Sequence, residues 1–255
     1  VKLIPLQEQT LPGEPVEVAV ELCNTSSQPV PLGQHGLFNP VLMLGLTVEG
    51  PVKATLPNLT AIILPTPKYL PAGGKVVETA RLDVGEAGQL LMTNPLSALK
   101  LTATAVLDPL QEGERLFSSV PGMKVEPAVT WRNPLFDPAG EKESAQYALA
   151  YLVRDLKEGG LPTQMRAARQ AAALLAYVRL AEMGKAKPVH PQVLTRPVLL
   201  SITRAFLRAP SPVVRAEMLS ALNCVDLDER IIALLDPSDS SPLVRTRLIE
   251  LLVAK

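Results

Sequence analysis

The sequence predicts a multi-domain fold of two classes in series, all-β over residues 1–132 and then all-α over residues 133–255. Three observations predict it. Apolar residues alternate with polar ones in the first half, they change to helical spacing from about Asn133, and 17 of the 25 prolines lie within residues 1–138. Proline suits turns and sheet edges, because it cannot donate a hydrogen bond within a sheet. We therefore expect a β-sandwich followed by a helical repeat array.

Composition excludes several classes of protein. The 255 residues carry 25 basic and 25 acidic side chains, 47% are hydrophobic and only 4% are aromatic. A hydrophobic fraction of this size excludes wholesale disorder. The zero net charge argues against a protein that coats nucleic acid, which needs a basic excess. No apolar run reaches the ~18–20 residues that span a bilayer, so we expect neither a nucleic-acid partner nor a transmembrane segment.

The strands of the first half follow from a two-residue period. Residues 16–22 place Val16, Val18, Val20 and Leu22 on one face and two glutamates on the other, as in a half-buried antiparallel strand. Similar runs predict further strands, at 41–48, 59–64, 75–82, 99–105 and 124–131. Short strands separated by turn signals are typical of a sandwich of immunoglobulin size.

The residues Pro-Gly-Glu-Pro-Val at 12–16, followed by Val-x-Val-x-Leu-x-Asn-x-Ser-x-x-Pro-Val at 18–30, resemble the immunoglobulin-like modules of bacterial envelope proteins. This resemblance implies an exported or cell-envelope protein.

Helical elements fill the second half. Asp137 and Pro138 predict the start of a helix that reaches about Glu158, Thr163 caps a second, and Thr195 caps a third that continues through Phe206. The predicted buried stripes have three- and four-residue spacing: Ala145, Leu149, Leu152, Val153 and Leu156; Ala168, Ala171, Ala172, Leu175 and Val178; Val198, Leu199, Ile202 and Phe206.

An internal repeat follows. The segment 211–222 and the segment 241–252, thirty residues later, both read SPxVRxxxφxxφ, where φ is aliphatic. In each segment serine is expected to cap a helix and proline to take its first position. A short helix at 228–235 and a loop at 236–240 lie between them. One repeat is therefore helix, turn, helix and loop, a unit that buries its apolar faces by stacking.

Residues 160–255 resemble the HEAT repeat family in its short bacterial form, because each repeat carries a Val-Arg pair after its helix-opening residues, Val214-Arg215 and Val244-Arg245. The resemblance implies a HEAT-like α-solenoid that binds other macromolecules. A minority of relatives are lyases that act on tetrapyrrole-carrying proteins, and nothing in these residues singles out that activity.

Arginines are the candidate binding residues. Residues 135–255 hold 16 Lys/Arg against 13 Asp/Glu, whereas residues 1–134 hold 9 against 12. A mildly basic helical surface favours an acidic protein partner, and the candidate partner-binding residues are Arg166, Arg169, Arg204, Arg208 and Arg247. The alternative is structural: Arg215 and Arg245 would each pair with an acid of the adjacent repeat, for example Asp226, Asp228 or Asp236.

No catalytic chemistry is predicted. Motifs for nucleophilic catalysis, phosphate binding and metal binding are missing, and the two histidines, His35 and His190, fall in loops. We therefore expect no catalytic, cofactor-binding or metal-binding residues, and a non-enzymatic interaction scaffold. Two alternatives stay open: an accessory region of a larger enzyme and, as the less favoured one, a HEAT-like lyase. The apolar pattern at 251–255 lacks a polar cap, so we expect the natural protein to continue.

Overall fold

The structure is a computed structural model that describes residues 1–33, 35–65, 67–113 and 115–253. Its contacts divide into two compact units. Unit 1 comprises Val1–Thr10, Pro15–Gly88 and Ser97–Asn133, and unit 2 comprises Leu11–Glu14, Gln89–Leu96 and Pro134–Lys255.

Twelve strands occur among the described residues: β1 (Lys2–Pro5), β2 (Gln9–Thr10), β3 (Glu17–Cys23), β4 (Val30–Pro31), β5 (Val41–Glu49), β6 (Ala54–Ile63), β7 (Tyr69–Leu70), β8 (Lys75–Arg81), β9 (Leu99–Leu107), β10 (Pro109–Glu112), β11 (Arg115–Ser118) and β12 (Ala128–Arg132). They form a three-stranded sheet in the order β1-β3-β8, a five-stranded sheet in the order β2-β12-β9-β5-β6, and the pairs β10-β11 and β4-β7.

The core of unit 1 comes from strand alternation. In β3 the residues Val18, Val20 and Leu22 are buried, and in β9 burial recurs at every second residue from Leu99 to Leu107. Because successive side chains point to opposite faces of a sheet, this pattern gives each strand one apolar face. Among the described strands the pairing is antiparallel except where Gln9 and Thr10 run parallel to Trp131 and Arg132, and two isolated bridges, Lys2 with Glu126 and Leu32 with Phe38, are also parallel.

The helices among the described residues are α1 (Gly85–Thr93), α2 (Lys142–Glu158), α3 (Leu161–Glu182), α4 (Arg196–Leu207), α5 (Pro212–Ala221), α6 (Glu229–Ile232) and α7 (Pro242–Val253), with a 3-10 turn at Leu222–Cys224. Helix α3 is the centre of unit 2, because it contacts α2, α4 and α5, and α5 in turn contacts α7. Its unbroken buried run from Gln170 to Val178 is rich in alanine, with Ala171, Ala172, Ala173 and Ala176. Small side chains let the neighbouring helices approach closely.

The predicted fold class, an all-β immunoglobulin-like sandwich followed by an all-α HEAT-like solenoid, is wrong. Over the residues that the structure describes, the fold is mixed α/β, with seven helices and about 27% strand in several small, mostly antiparallel sheets, and the five-stranded sheet is mixed. Two features, one local and one between distant parts of the chain, explain the error. Helix α1 interrupts the strands, where Ala87 and Leu91 are buried one turn apart, and its two glycines resemble turn signals. The parallel pair β2-β12 joins residues far apart in the chain, which hydrophobic periodicity does not detect.

Helix starts differ from the predicted ones in detail. Helix α2 begins at Lys142, after Asp137 and Pro138, and α3 begins at Leu161, ahead of Thr163. Helix α4 begins directly after Thr195, but neither Thr195 nor Ser211 makes a side-chain capping bond. Proline near the first position fixes a helical φ at these starts without a side-chain cap.

Candidate functional site

Two of the predicted partner-binding arginines are held inside unit 2. Arg166 contacts the carboxylate of Glu14 at 3.1 Å, and Arg169 bonds to Glu217 and also donates to the carbonyl of Gly13 at 3.3 Å. These bonds fix the loop Leu11–Glu14 against α3. Their guanidinium groups therefore have structural partners already.

A third residue of α3 completes the attachment of that loop. The buried side chain of Gln170 donates to the carbonyl of Pro12 at 2.8 Å. Gly13 lies between these bonds with φ +81°, and a Cβ at this position would stand 2.9 Å from the carbonyl of Arg166. The loop therefore requires glycine for both its backbone conformation and its close approach to α3.

The three other predicted arginines are exposed. Arg247 pairs with Glu250 at 2.5 Å on the surface of α7. Arg204 and Arg208 lie one turn apart at the end of α4, and no side-chain hydrogen bond or ion pair to another described residue is seen for either. Hydrogen bonds from Ser238 lower the pKa of Asp236, and the charge of Arg208, which makes no bond to that carboxylate, adds a smaller lowering. Among the five, Arg204 and Arg208 are thus the cations available to an outside partner.

The repeat arginines adopt equivalent positions. The Nη1 of Arg215 donates to the carbonyls of Ala209 at 2.7 Å and Pro210 at 3.0 Å. The Nη1 of Arg245 makes the same two bonds, to Asp239 at 2.7 Å and Ser240 at 3.0 Å. Each arginine therefore binds the carbonyls five and six residues before it, and so ties its helix to the preceding loop.

The acid that pairs with Arg215 is Asp239. The Nε and Nη2 of Arg215 donate to its two carboxylate oxygens at 2.8 and 3.0 Å, and the side chains are only 13% and 11% exposed. Hydrogen bonding from Arg215 holds the pKa of Asp239 below its usual range. The sequence suggested Asp226, Asp228 or Asp236, whereas the structure pairs Arg215 with the acid that lies two residues before Ser241.

An open apolar groove lies between α2 and α4. We call it the α2–α4 groove, and its volume is about 480 Å³. Its lining residues are Leu149, Ala150, Val153, Val198, Ser201 and Ile202. Val198, expected within a buried stripe, is 40% exposed, because α4 turns this part of its surface toward the groove.

Exposed aromatic and basic side chains stand on the helix that forms one wall of this groove. On α2, Tyr147 is 64% and Tyr151 49% exposed. The guanidinium carbon of Arg154 lies 4.4 Å from the centre of the Tyr151 ring, a cation–π contact. Sequence reasoning missed these residues, although Tyr147, Tyr151 and Arg154 follow helical spacing on the face away from the predicted buried stripe.

A second cleft, of about 350 Å³, lies beside the end of α3 and the start of α4. Arg196 bonds to Asp228 and contacts Glu182 at 3.3 Å, while Arg179 contacts Glu182 at 3.3 Å. Burial lowers the pKa of Arg196, and Glu182 opposes that shift. Burial also raises the pKa of Tyr177, whose hydroxyl bonds to the carbonyl of Lys187. Glu182 and Asp228 hold Arg179 and Arg196 in one ion-pair network, whereas Arg230, which also lines the cleft, has no ion pair among the described residues.

Neither histidine lines the α2–α4 groove or the second cleft, although His190 stands between Val189 and Pro191 of that cleft. His35 is exposed. His190 is half-buried, with φ +44° and its ring 6.3 Å from that of Phe136. Within the described residues, no group of three or more His, Cys, Asp or Glu side chains could hold a metal ion.

Comparisons with known proteins give no family for this chain. It matches no family model and no curated protein. In the part of the chain that the structure describes, no helix is both long and apolar enough to cross a membrane.

Proposed function

We propose that the chain is a non-enzymatic interaction scaffold, and that the α2–α4 groove binds an acidic amphipathic helix of a protein partner. The observation that carries this proposal is the open apolar groove between α2 and α4. The helix α4 also displays Arg204 and Arg208, which have no ion-pair partner among the described residues.

The apolar side of the proposal rests on the kinds of residue present. Partner-binding residues that contribute most to affinity are enriched in tyrosine and arginine around a water-excluding apolar centre. The groove supplies the apolar centre, with Leu149 and Val153 on one wall and Val198 and Ile202 on the other, and α4 supplies the arginines. An amphipathic helix that lays its apolar face in such a groove places side chains at three- and four-residue intervals along it.

The acidic side of the proposal rests on charge. The spacing of Arg204 and Arg208 is one helical turn, which matches carboxylates at i and i+4 on a docked helix. Arginine binds carboxylates through two parallel bonds, so two such pairs would also fix the direction of the docked helix. The three excess basic residues of the C-terminal half give a supporting but small attraction at longer range.

The repeat supports the scaffold character of unit 2. The matched carbonyl bonds of Arg215 and Arg245, thirty residues apart, support the proposal that this segment is a repeat of the short HEAT kind. Repeat units of that kind present extended helical surfaces to macromolecular partners.

A site-specific photocrosslink tests the groove. A crosslinking amino acid replaces Ser201, at the groove, and Ser27, an exposed loop serine outside the groove, as the matched control. We expect one partner protein to crosslink from position 201 and not from position 27 in cells of the organism that makes the protein. Arg204→Glu with Arg208→Glu should lower that yield by about tenfold, since two exposed charge pairs at about 0.7 kcal/mol each sum to the ~1.4 kcal/mol that is a factor of ten in affinity.

A charge-matched control separates position from net charge. Lys185→Glu with Lys187→Glu makes the same change in net charge at exposed sites outside the groove and should leave the yield unchanged. Equal losses from the two pairs of substitutions, or no crosslink specific to position 201, would contradict the proposal.

A further inference from the structure

Helix α7 repeats the arrangement of α5 but leaves one of its faces uncovered. Both helices bury one face, which in α7 comprises Val244, Leu248 and Leu251, and α7 contacts α5. In α5 and the turn that follows it the second face is also buried: Leu219 is 3% and Leu222 is 0% exposed. These two residues share one apolar cluster with the buried face of α7, and α5 and α7 are in contact.

The corresponding positions of α7 are exposed. Thirty residues after Leu219 and Leu222 stand Ile249, which is 62% exposed, and Leu252, which is 50% exposed. Val253 extends the same face and is 81% exposed. We call Ile249, Leu252 and Val253 the open face of α7. Helical spacing places Arg245 beside these residues, just as Arg215 stands beside Leu219 and Leu222.

The arginine beside the open face, Arg245, corresponds to Arg215 of the first repeat segment. Arg215 uses Nη1 for the loop carbonyls and uses Nε and Nη2 for the carboxylate of Asp239. Arg245 uses Nη1 for the equivalent carbonyls, and within the described residues its Nε and Nη2 have no carboxylate. The open face therefore lacks the two elements that α7 supplies to α5, which are an apolar helix face and an aspartate in the loop before that helix.

We propose that the open face of α7 binds an amphipathic helix preceded by a loop aspartate, the same combination that α7 and Asp239 present to α5. The aspartate would bind Nε and Nη2 of Arg245, and the apolar face of the bound helix would cover Ile249 and Leu252. This surface shares no residue with the α2–α4 groove, so the two binding events succeed or fail independently.

A peptide that copies residues 236–253 is the probe, because it carries Asp239 and the apolar face that α5 already accepts. We expect the labelled peptide to bind the full chain, as measured by fluorescence anisotropy. Binding should weaken on the order of tenfold when Asp239→Asn is made in the peptide, or when Arg245→Ala is made in the protein. The two changes together should weaken binding no further than either alone, because they remove one interaction.

Two further variants of the protein define the face. Ile249→Asp should abolish binding, because it puts a charge into the apolar contact. Arg247→Ala, also on the exposed surface of α7 but paired with Glu250, is the matched control and should bind the peptide like the unaltered protein.

The result that overturns the proposal has three forms. The peptide could fail to bind at all, or it could bind equally well to the Arg245→Ala and Ile249→Asp proteins. It could also respond to Arg215→Ala and not to Arg245→Ala, which would show that the peptide displaces α7 from α5 rather than docking on the open face.

Discussion

The pair formed by Arg215 and Asp239 joins the two repeat segments, and its removal makes a direct test of the helical unit. Arg215→Ala removes two bonds to the carboxylate and two bonds to loop carbonyls. It also leaves the Asp239 carboxylate, only 11% exposed, without its cation.

The expected loss in the free energy of unfolding lies between the values known for exposed and for fully buried ion pairs. Exposed ion pairs contribute about 0–1 kcal/mol, whereas removal of one partner from a fully buried pair costs about 3–5 kcal/mol. Because the Arg215 and Asp239 side chains are 13% and 11% exposed, we expect the free energy of unfolding of unit 2 to fall by about 2–3 kcal/mol, between the limits for exposed and buried pairs. With a urea dependence of about 1–3 kcal/mol per M, the transition midpoint should fall by roughly 1–2 M.

Urea unfolding with two probes is the assay. Helical circular dichroism follows the helices of unit 2, and the fluorescence of Trp131, the one tryptophan of the chain, follows unit 1. The dichroism transition should move and the Trp131 transition should stay. Arg245→Ala is the matched control: it loses the two carbonyl bonds but no carboxylate, so its loss should be about 1 kcal/mol or less. Equal midpoints for Arg215→Ala and the unaltered protein would show that this pair does not stabilise unit 2.

Three other predictions concern pH, the loop Leu11–Glu14 and a buried cation. The pKa of Asp239 is lowered in the folded state, so the stabilisation by its pair with Arg215 should be complete above the ordinary aspartate pKa of about 4 and disappear as pH falls through the folded value; Asp239→Asn should abolish this part of the pH dependence of urea unfolding. Gly13→Ala should lower the free energy of unfolding by about 2–3 kcal/mol in urea, because it combines φ +81° with a Cβ 2.9 Å from the carbonyl oxygen of Arg166. Gly184→Ala, at φ +70° in open space, is the control and should lower it by only about 1–2 kcal/mol. Equal losses from the two substitutions would contradict the close approach of Gly13 to α3. Arg132→Met should raise the stability of unit 1 by about 1 kcal/mol or more in the Trp131 transition, because Arg132 is 4% exposed and its Nε has no hydrogen-bond partner among the described residues. Burial lowers the pKa of Arg132 to about 10 although Asp83 opposes the shift, so the cost of the buried cation is present at neutral pH and the advantage of Arg132→Met should shrink only above about pH 10, where the unfolded state binds more protons.

Local sequence was sufficient for several elements. Pro197, Pro212 and Pro242 each stand at the beginning of a helix of the structure, because proline fixes φ and needs no hydrogen-bond partner there. The alternation at 16–22 likewise predicts β3, since the period of a strand is contained in neighbouring residues. The equivalent bonds of Arg215 and Arg245 occur at equivalent repeat positions, because each reaches carbonyls only five and six residues away.

Partners far apart in the chain could not be predicted in this way. Arg166 was a candidate for an outside partner until the fold placed Glu14, 152 residues away, against it. The parallel pairing of β2 with β12 changed the fold class for the same reason, whereas α1 was missed because its two glycines resemble turn signals.

For the two proposed binding surfaces, too, some features follow from local sequence and others only from tertiary contacts. The order of residues establishes which side chains are basic, which are apolar and that the Ser-Pro-x-Val-Arg segment occurs twice. The folded chain was needed to show that Asp239 completes the pair with Arg215 and that Arg204 and Arg208 have no ion-pair partner among the described residues. It was also needed to show that Ile249 and Leu252 are exposed where Leu219 and Leu222 are buried. This division arises because a periodic pattern assigns a side chain to a face of its helix, whereas the residues that cover that face come from elsewhere in the chain.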